Sequence, residues 1–329
     1  MGRKLLCLIA ALLLFSMAAG LAEETRTAEE MEEQEEILTW KDTTLGSLVL
    51  VDRIHDEEAV WSFDPDAELL HIWFPRIHDC DAALIACGGE YALIDCCDEG
   101  QASRLANLIM AAKVPRIDWL FNTHPHHDHL GGLSAVADTV PVRQFLICFH
   151  EYYNERMQSA LAVAKARMIP VVHYGDGDRF EIGSAQLQVF LKGEPDWSVN
   201  EQSAVMRLSL GERSMLFMAD TQARTFNLLA AMEERGLMDV DIIKYPHHGV
   251  ELLTESFLRA CEPDFAVITN TDRVSEALAL LDREGIAYAL TAYSAVHLVT
   301  DGSVWVAELL DVEMEMRGSA CPFLSRLAP

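Results

Sequence analysis

From residue 69 onward, short apolar runs alternate with stretches of helical spacing. Residues 69–74 and 82–87 read as strands. Gly88 and Gly89 then supply the positive φ of a tight turn into a third strand over 91–96. Within 101–113, Leu105, Leu108, Ile109 and Ala112 recur on one helical face. Strands at 117–121 and 142–147 follow, with a helix near 152–167. The second half keeps this rhythm, with strands at 187–191, 204–210, 214–218 and 240–245. Helices are expected near 222–235, 252–261 and 275–284, and strands at 265–268, 288–291, 297–300 and 304–310. Early hairpins followed by strand–helix alternation predict an α/β domain of two packed sheets with helices outside. No fixed-period repeat and no Pro/Gly-rich linker divides residues 69–310.

The first 68 residues differ in character. Arg3 and Lys4 precede an apolar run over 5–19, closed by Gly20, Leu21 and Ala22. A basic start, an apolar core and small residues at the −3 and −1 positions describe a signal peptide over 1–22. Export to a secreted or extracytoplasmic location is therefore expected, with a membrane anchor as the outcome if the segment is not cleaved. Cys7 lies inside the run and does not fit a lipoprotein anchor. Residues 23–68 read as an acidic, partly disordered lead, since 23–36 hold eight Glu and one Arg. Residues 311–329 read as a C-terminal tail. No second apolar run approaches spanning length, so a membrane channel is not expected.

Charge narrows the range of partners. The 329 residues carry 52 acidic and 25 basic side chains, a net −27. Loss of Arg3 and Lys4 with the leader would make this −29, and the Glu-rich stretch accounts for seven of those charges. A surface with about −22 left on it disfavours long nucleic acid, which is held through many Lys and Arg contacts. Half the residues are hydrophobic, enough for a sizeable core. Of eight cysteines, seven lie beyond the leader, an irregular odd set. Most read as small core residues, with one or two bridges left open.

The chemistry concentrates in Thr123-His124-Pro125-His126-His127-Asp128-His129-Leu130-Gly131-Gly132, directly after a predicted strand. Imidazoles and a carboxylate at this spacing are ligands for zinc, manganese or iron. In such a loop His124 and His126 can face one ion while Asp128 and His129 face a second. Asp95, Asp220 and His247-His248-Gly249 also follow predicted strands.

This combination resembles the metallo-β-lactamase fold superfamily over about residues 69–310. The resemblance implies a four-layer αββα sandwich. It also implies two divalent metal ions, zinc first and manganese second. His124, His126, Asp128, His129, Asp220 and His248 would be the metal ligands, with Asp220 bridging. Asp95 would hold the loop from behind, and His127, His247, Asn200 and Ser203 would support the site or contact substrate. Within the superfamily the chain is most similar to the hydrolase domain of bacterial competence (ComEC-type) DNA-uptake proteins. Thr123-His124-Pro125-His126, Asn200-Glu201-Gln202-Ser203, Ala219-Asp220 and Tyr245-Pro246-His247-His248-Gly249 carry that likeness.

Two departures bear on the site. Many members carry a third histidine for the first ion, yet residues 193–203 contain none. Asn200, a water, His150 or His173 remain open as its replacement. The competence group's Gly-rich turn is replaced by His78-Asp79-Cys80-Asp81. His248, next to Gly249, is favoured over His247 as the ligand. The expected activity is an exported metal-dependent hydrolase using a metal-activated water, with Asp128 positioning that water and taking its proton. Phosphodiesters or other small anionic esters are the expected substrates. Lactone, ester or β-lactam hydrolysis, or an inactive metal- or substrate-binding protein, are the alternatives. The sequence carries no signal for oligomeric state.

Overall fold

Strands Leu70–Phe74, Ala83–Cys87 and Phe265–Ile268 are buried at every position, which a strand achieves only when both faces of its sheet are covered. The computed structural model describes residues 43–45, 48–52, 63–231 and 237–310. The expected signal peptide, the Glu-rich stretch and the tail over 311–329 lie outside the described residues. Two sheets of ten and seven strands pack face to face. Ile72, Phe74, Ile85 and Phe121 from the first interdigitate with Leu187, Met206, Phe217 and Phe265 from the second. Helices Ala102–Ala111, Leu133–Thr139 and Glu155–Ala166 cover the first sheet. Ala223–Ala231, Glu255–Cys261 and Ser275–Glu284 cover the second. The result is the four-layer αββα sandwich.

Each sheet switches from antiparallel to parallel pairing along the chain. In the first, Glu90–Ile94, Trp119–Asn122, Phe145–Ile147 and Val171–His173 run parallel. In the second, Arg213–Phe217, Ile242–Lys244, Phe265–Ile268 and Ala287–Leu290 do the same. Parallel strands end together, so the loops that leave them meet at one rim, where open α/β sheets bind ligands.

Several expectations need correction. The boundary at residue 69 falls inside the first sheet, because Thr43–Leu45 and Leu48–Asp52 already pair in it. Leu48–Asp52 lies parallel to Trp305–Leu310, at the other end of the chain, and its Leu-Val-Leu-Val run is a strand signal that the expected boundary passed over. Val171–His173 and Arg179–Ile182 are further strands beyond those expected; both are largely solvent-facing and lack an apolar run. The six described cysteines are free thiols, five of them buried, so no bridge forms among them. No helix among the described residues is long and apolar enough to cross a membrane.

Candidate metal centre

The signature loop leaves Trp119–Asn122 and turns at once into a one-turn helix, His127–Leu130. Its two glycines are required by contact. A Cβ on Gly132 would overlap the Cys96 carbonyl oxygen, and one on Gly131 would sit 2.6 Å from the Glu99 nitrogen. Asp95, which ends the neighbouring strand in a left-handed conformation (φ 58°), holds the loop from below. Its Oδ1 accepts from the Thr123 backbone N–H at 2.8 Å and the Asn122 amide at 3.1 Å. Its Oδ2 accepts from the Thr123 hydroxyl at 2.6 Å and from His129 Nδ1 at 2.7 Å. That last bond turns His129 Nε2 into the site.

Asp220 follows Arg213–Phe217 through Ala219, another left-handed residue (φ 46°). Its two oxygens face different histidines. Oδ1 lies 3.2 Å from His129 Nε2 and 3.4 Å from His248 Nε2. Oδ2 lies 3.7 Å from both His124 Nε2 and His247 Nε2. His124 Nε2 is 3.0 Å from His126 Nδ1. Asp128 Oδ2 is 3.4 Å from His248 Nε2 and 3.9 Å from His129 Nε2. Two donor groups able to hold a metal result: His124, His126 and Asp220, and Asp128, His129, Asp220 and His248.

Sequence reasoning missed Asp81, which is buried and anchors the far side. Its Oδ1 accepts from His248 Nδ1 at 3.0 Å and from the Thr269 hydroxyl at 2.6 Å, and its Oδ2 pairs with Lys244 Nζ. Asp81 thus does for His248 what Asp95 does for His129. The available signal was Lys244 itself, a charge at the end of the apolar strand Ile242–Lys244. Asp81 also stands with Asp95 and His129 in a third acidic group able to hold a cation. Its carboxylate is already engaged by Lys244.

The electrostatics separate the histidines. Burial pushes His124, His126 and His247 below the usual range, favouring neutral imidazoles. Burial works the same way on His129 and His248, but the adjacent Asp220 outweighs it, helped by Asp95 for His129 and Asp81 for His248, and raises both well above that range. Burial would raise Asp220, yet His248 and His129 hold its carboxyl well below normal. It would raise Asp128 too, where the His248 hydrogen bond and the His129 charge prevail and hold it low. A site with this much carboxylate demands positive charge. His129 Nε2, His248 Nε2 and Asp220 Oδ1 are buried without a hydrogen-bond partner, so the donors fit divalent cations.

The other expected residues are placed as follows. His127 points outward, its side chain 64% exposed and 3.5 Å from Asp128. Asn200 Nδ2 reaches His247 Nε2 at 3.2 Å. Ser203 is buried beside the signature loop, where Ala204 N–H bonds the Thr123 carbonyl at 3.1 Å. His150 and His173 are exposed, and His78 pairs with Asp79. None of these three joins either donor group.

The model of the metallo-beta-lactamase superfamily matches residues 76–267. Among solved structures the chain is similar to the metallo-beta-lactamase fold protein YhfI from Bacillus subtilis, at 12% identity and TM-score 0.46, over 69% of this chain and 97% of that one. It is similar to CmlA, a diiron beta-hydroxylase from Streptomyces venezuelae, at 16% identity and TM-score 0.45, over 73% of this chain and 55% of that one. A Cronobacter sakazakii metallo-beta-lactamase with the HARLDQ motif is 15% identical, with TM-score 0.40, over 64% of this chain and 88% of that one. No curated protein matches the sequence.

Proposed function

The chain belongs to the metallo-beta-lactamase superfamily, and from that premise we propose that it is an exported, dinuclear metal-dependent hydrolase of phosphodiesters or other small anionic esters. One observation carries the proposal: Asp220 presents each of its oxygens to a different set of histidines. His124, His126 and Asp220 would hold one divalent ion, and Asp128, His129, Asp220 and His248 the other, zinc first and manganese second. Divalent ions held by these residues would supply Lewis acidity and lower the pKa of water.

The side chains do the rest. Asp95 and Asp81 fix the tautomer and aim of His129 and His248 through their Nδ1 atoms. Asp128, held ionised at the partly open edge, would accept a hydrogen bond from the attacking water and so orient it. Lys244 is committed to Asp81, which leaves substrate charge to be met at the ions. Support for the substrate class comes from the resemblance of its motifs to those of the competence DNA-uptake hydrolase domain. The acidic surface shifts that expectation from long DNA to a short or small ester. Support for export is the basic-apolar-small pattern over residues 1–22.

The test is turnover of bis(p-nitrophenyl) phosphate, a lactone and nitrocefin by the purified chain with Zn²⁺ or Mn²⁺. Phosphodiester cleavage is expected. Turnover of the lactone or nitrocefin alone would overturn the substrate class, and bound metal without any turnover would mark a binding protein.

A further inference from the structure

His247 and His248 are neighbours in the chain, yet their Nε2 atoms approach opposite oxygens of Asp220. We propose that this tandem pair divides between two metal ions. His247 completes the first donor set with His124, His126 and Asp220, and His248 completes the second with Asp128, His129 and Asp220. The inference rests on the dinuclear reading above and supplies the histidine that residues 193–203 lack.

Spacing argues for it first. Two ligand atoms about 2.0–2.2 Å from one ion, at a tetrahedral angle, lie about 3.4 Å apart. Around Asp220 the four nitrogen–oxygen separations run from 3.2 to 3.7 Å, two on each oxygen. His247 stands to Oδ2 as His124 does, at the same 3.7 Å.

The backbone argues for it second. His247 (φ 48°, ψ 47°) and His248 (φ 50°, ψ 25°) are consecutive left-handed residues, a conformation that L side chains with a Cβ resist. In an extended chain neighbouring side chains point to opposite faces. Here the helical rotation sets the two rings side by side, centroids 6.1 Å apart and planes at 60°. They can therefore address two centres about 3.5–4 Å apart. The conformation is pinned by His247 N–H on the Ala219 carbonyl at 2.8 Å, by Asn270 on the His248 carbonyl at 2.9 Å and by Gly249 at φ 85°. Strain held in this way is a mark of functional geometry.

Elimination argues for it third. His150 and His173 lie exposed, whereas His247 is partly buried and approaches Asp220 Oδ2 at 3.7 Å. Asn200 Nδ2 lies 3.2 Å from the same His247 Nε2 and would have to yield that nitrogen to the ion.

The test counts zinc bound by the metal-free full chain in equilibrium dialysis against a competing chelator. His247→Asn and His247→Gly are the informative variants, because both residues accept positive φ, and circular dichroism reports their folding. The unsubstituted chain is expected to take up two equivalents. Each His247 variant should keep one and bind the other more than about 10-fold more weakly, the least that loss of even a supporting group costs. His247→Asn combined with His124→Ala should still keep one ion, since both residues serve the same site. Combined with His248→Ala it should keep none. Two equivalents of unchanged affinity in both His247 variants would overturn the inference while leaving the dinuclear reading intact. So would one retained ion in the His247–His248 double variant. Fewer than two equivalents in the unsubstituted chain would overturn the dinuclear reading and the inference with it.

Discussion

Among the described residues two clusters of buried histidine occur, and only one has the properties of a metal centre. The second lies across three adjacent strands of the first sheet. There His71 Nδ1 is 3.0 Å from His297 Nε2, and His297 Nδ1 is 2.9 Å from Glu308 Oε2. Trp73 stacks on both rings, at 5.1 Å from His71 and 4.8 Å from His297. Burial, with the His297 charge adding to it, pushes His71 well below its ordinary range. The contacts in this cluster run in line, ring nitrogen to ring nitrogen to carboxylate. Around Asp220 the nitrogens of four histidines converge instead on the two oxygens of one carboxylate. Burying histidine is thus no evidence of catalysis by itself. What separates the clusters is the convergence of several rings on one carboxylate, an arrangement in which a cation would repay the desolvation.

This contrast can be broken by substitution. The largest effect belongs to Asp128→Ala, expected to lower kcat on bis(p-nitrophenyl) phosphate by ~10²–10⁴-fold with an unchanged circular dichroism spectrum. Retained activity would remove Asp128 from the mechanism. Asp81→Asn comes next, since it leaves Lys244 buried without its anionic partner. Urea unfolding should show a loss of about 3–5 kcal/mol, and a neutral result would mean that the Lys244 charge is met elsewhere. The smallest change is His297→Phe, which removes a hydrogen-bonded ring but keeps an aromatic stack. It should cost about 1–3 kcal/mol of stability and leave kcat/KM per folded molecule unchanged. A fall in kcat/KM would show that the two clusters communicate.

Legibility in the sequence followed range. The hairpin at Gly88 and Gly89 is local, and both residues indeed take positive φ, 55° and 76°. The six residues from His124 to His129 could be read as one loop because they are contiguous and follow a strand. Helix Ser275–Glu284 coincides with the span expected for it. Asp81 could not be read in this way. It is a single carboxylate whose meaning comes from Lys244, His248 and Thr269, all contributed by the other sheet. The preference for His248 over His247 likewise rested on a choice between neighbours, whereas the folded backbone gives each its own side of Asp220. The strand Leu48–Asp52 carries its own apolar run, and only its place in the sheet depends on a partner near residue 310.

The division of the donors between the sheets also bears on the molecule's lifetime. His124, His126, Asp128 and His129 extend from the first sheet, and Asp220, His247 and His248 from the second. A cation gripped by both would act as a clasp across the seam. At a free concentration 1,000-fold above its Kd, a single such ion adds about 4 kcal/mol to folding. Metal supply would then govern survival against proteases as well as turnover, because cleavage follows the population of the opened chain.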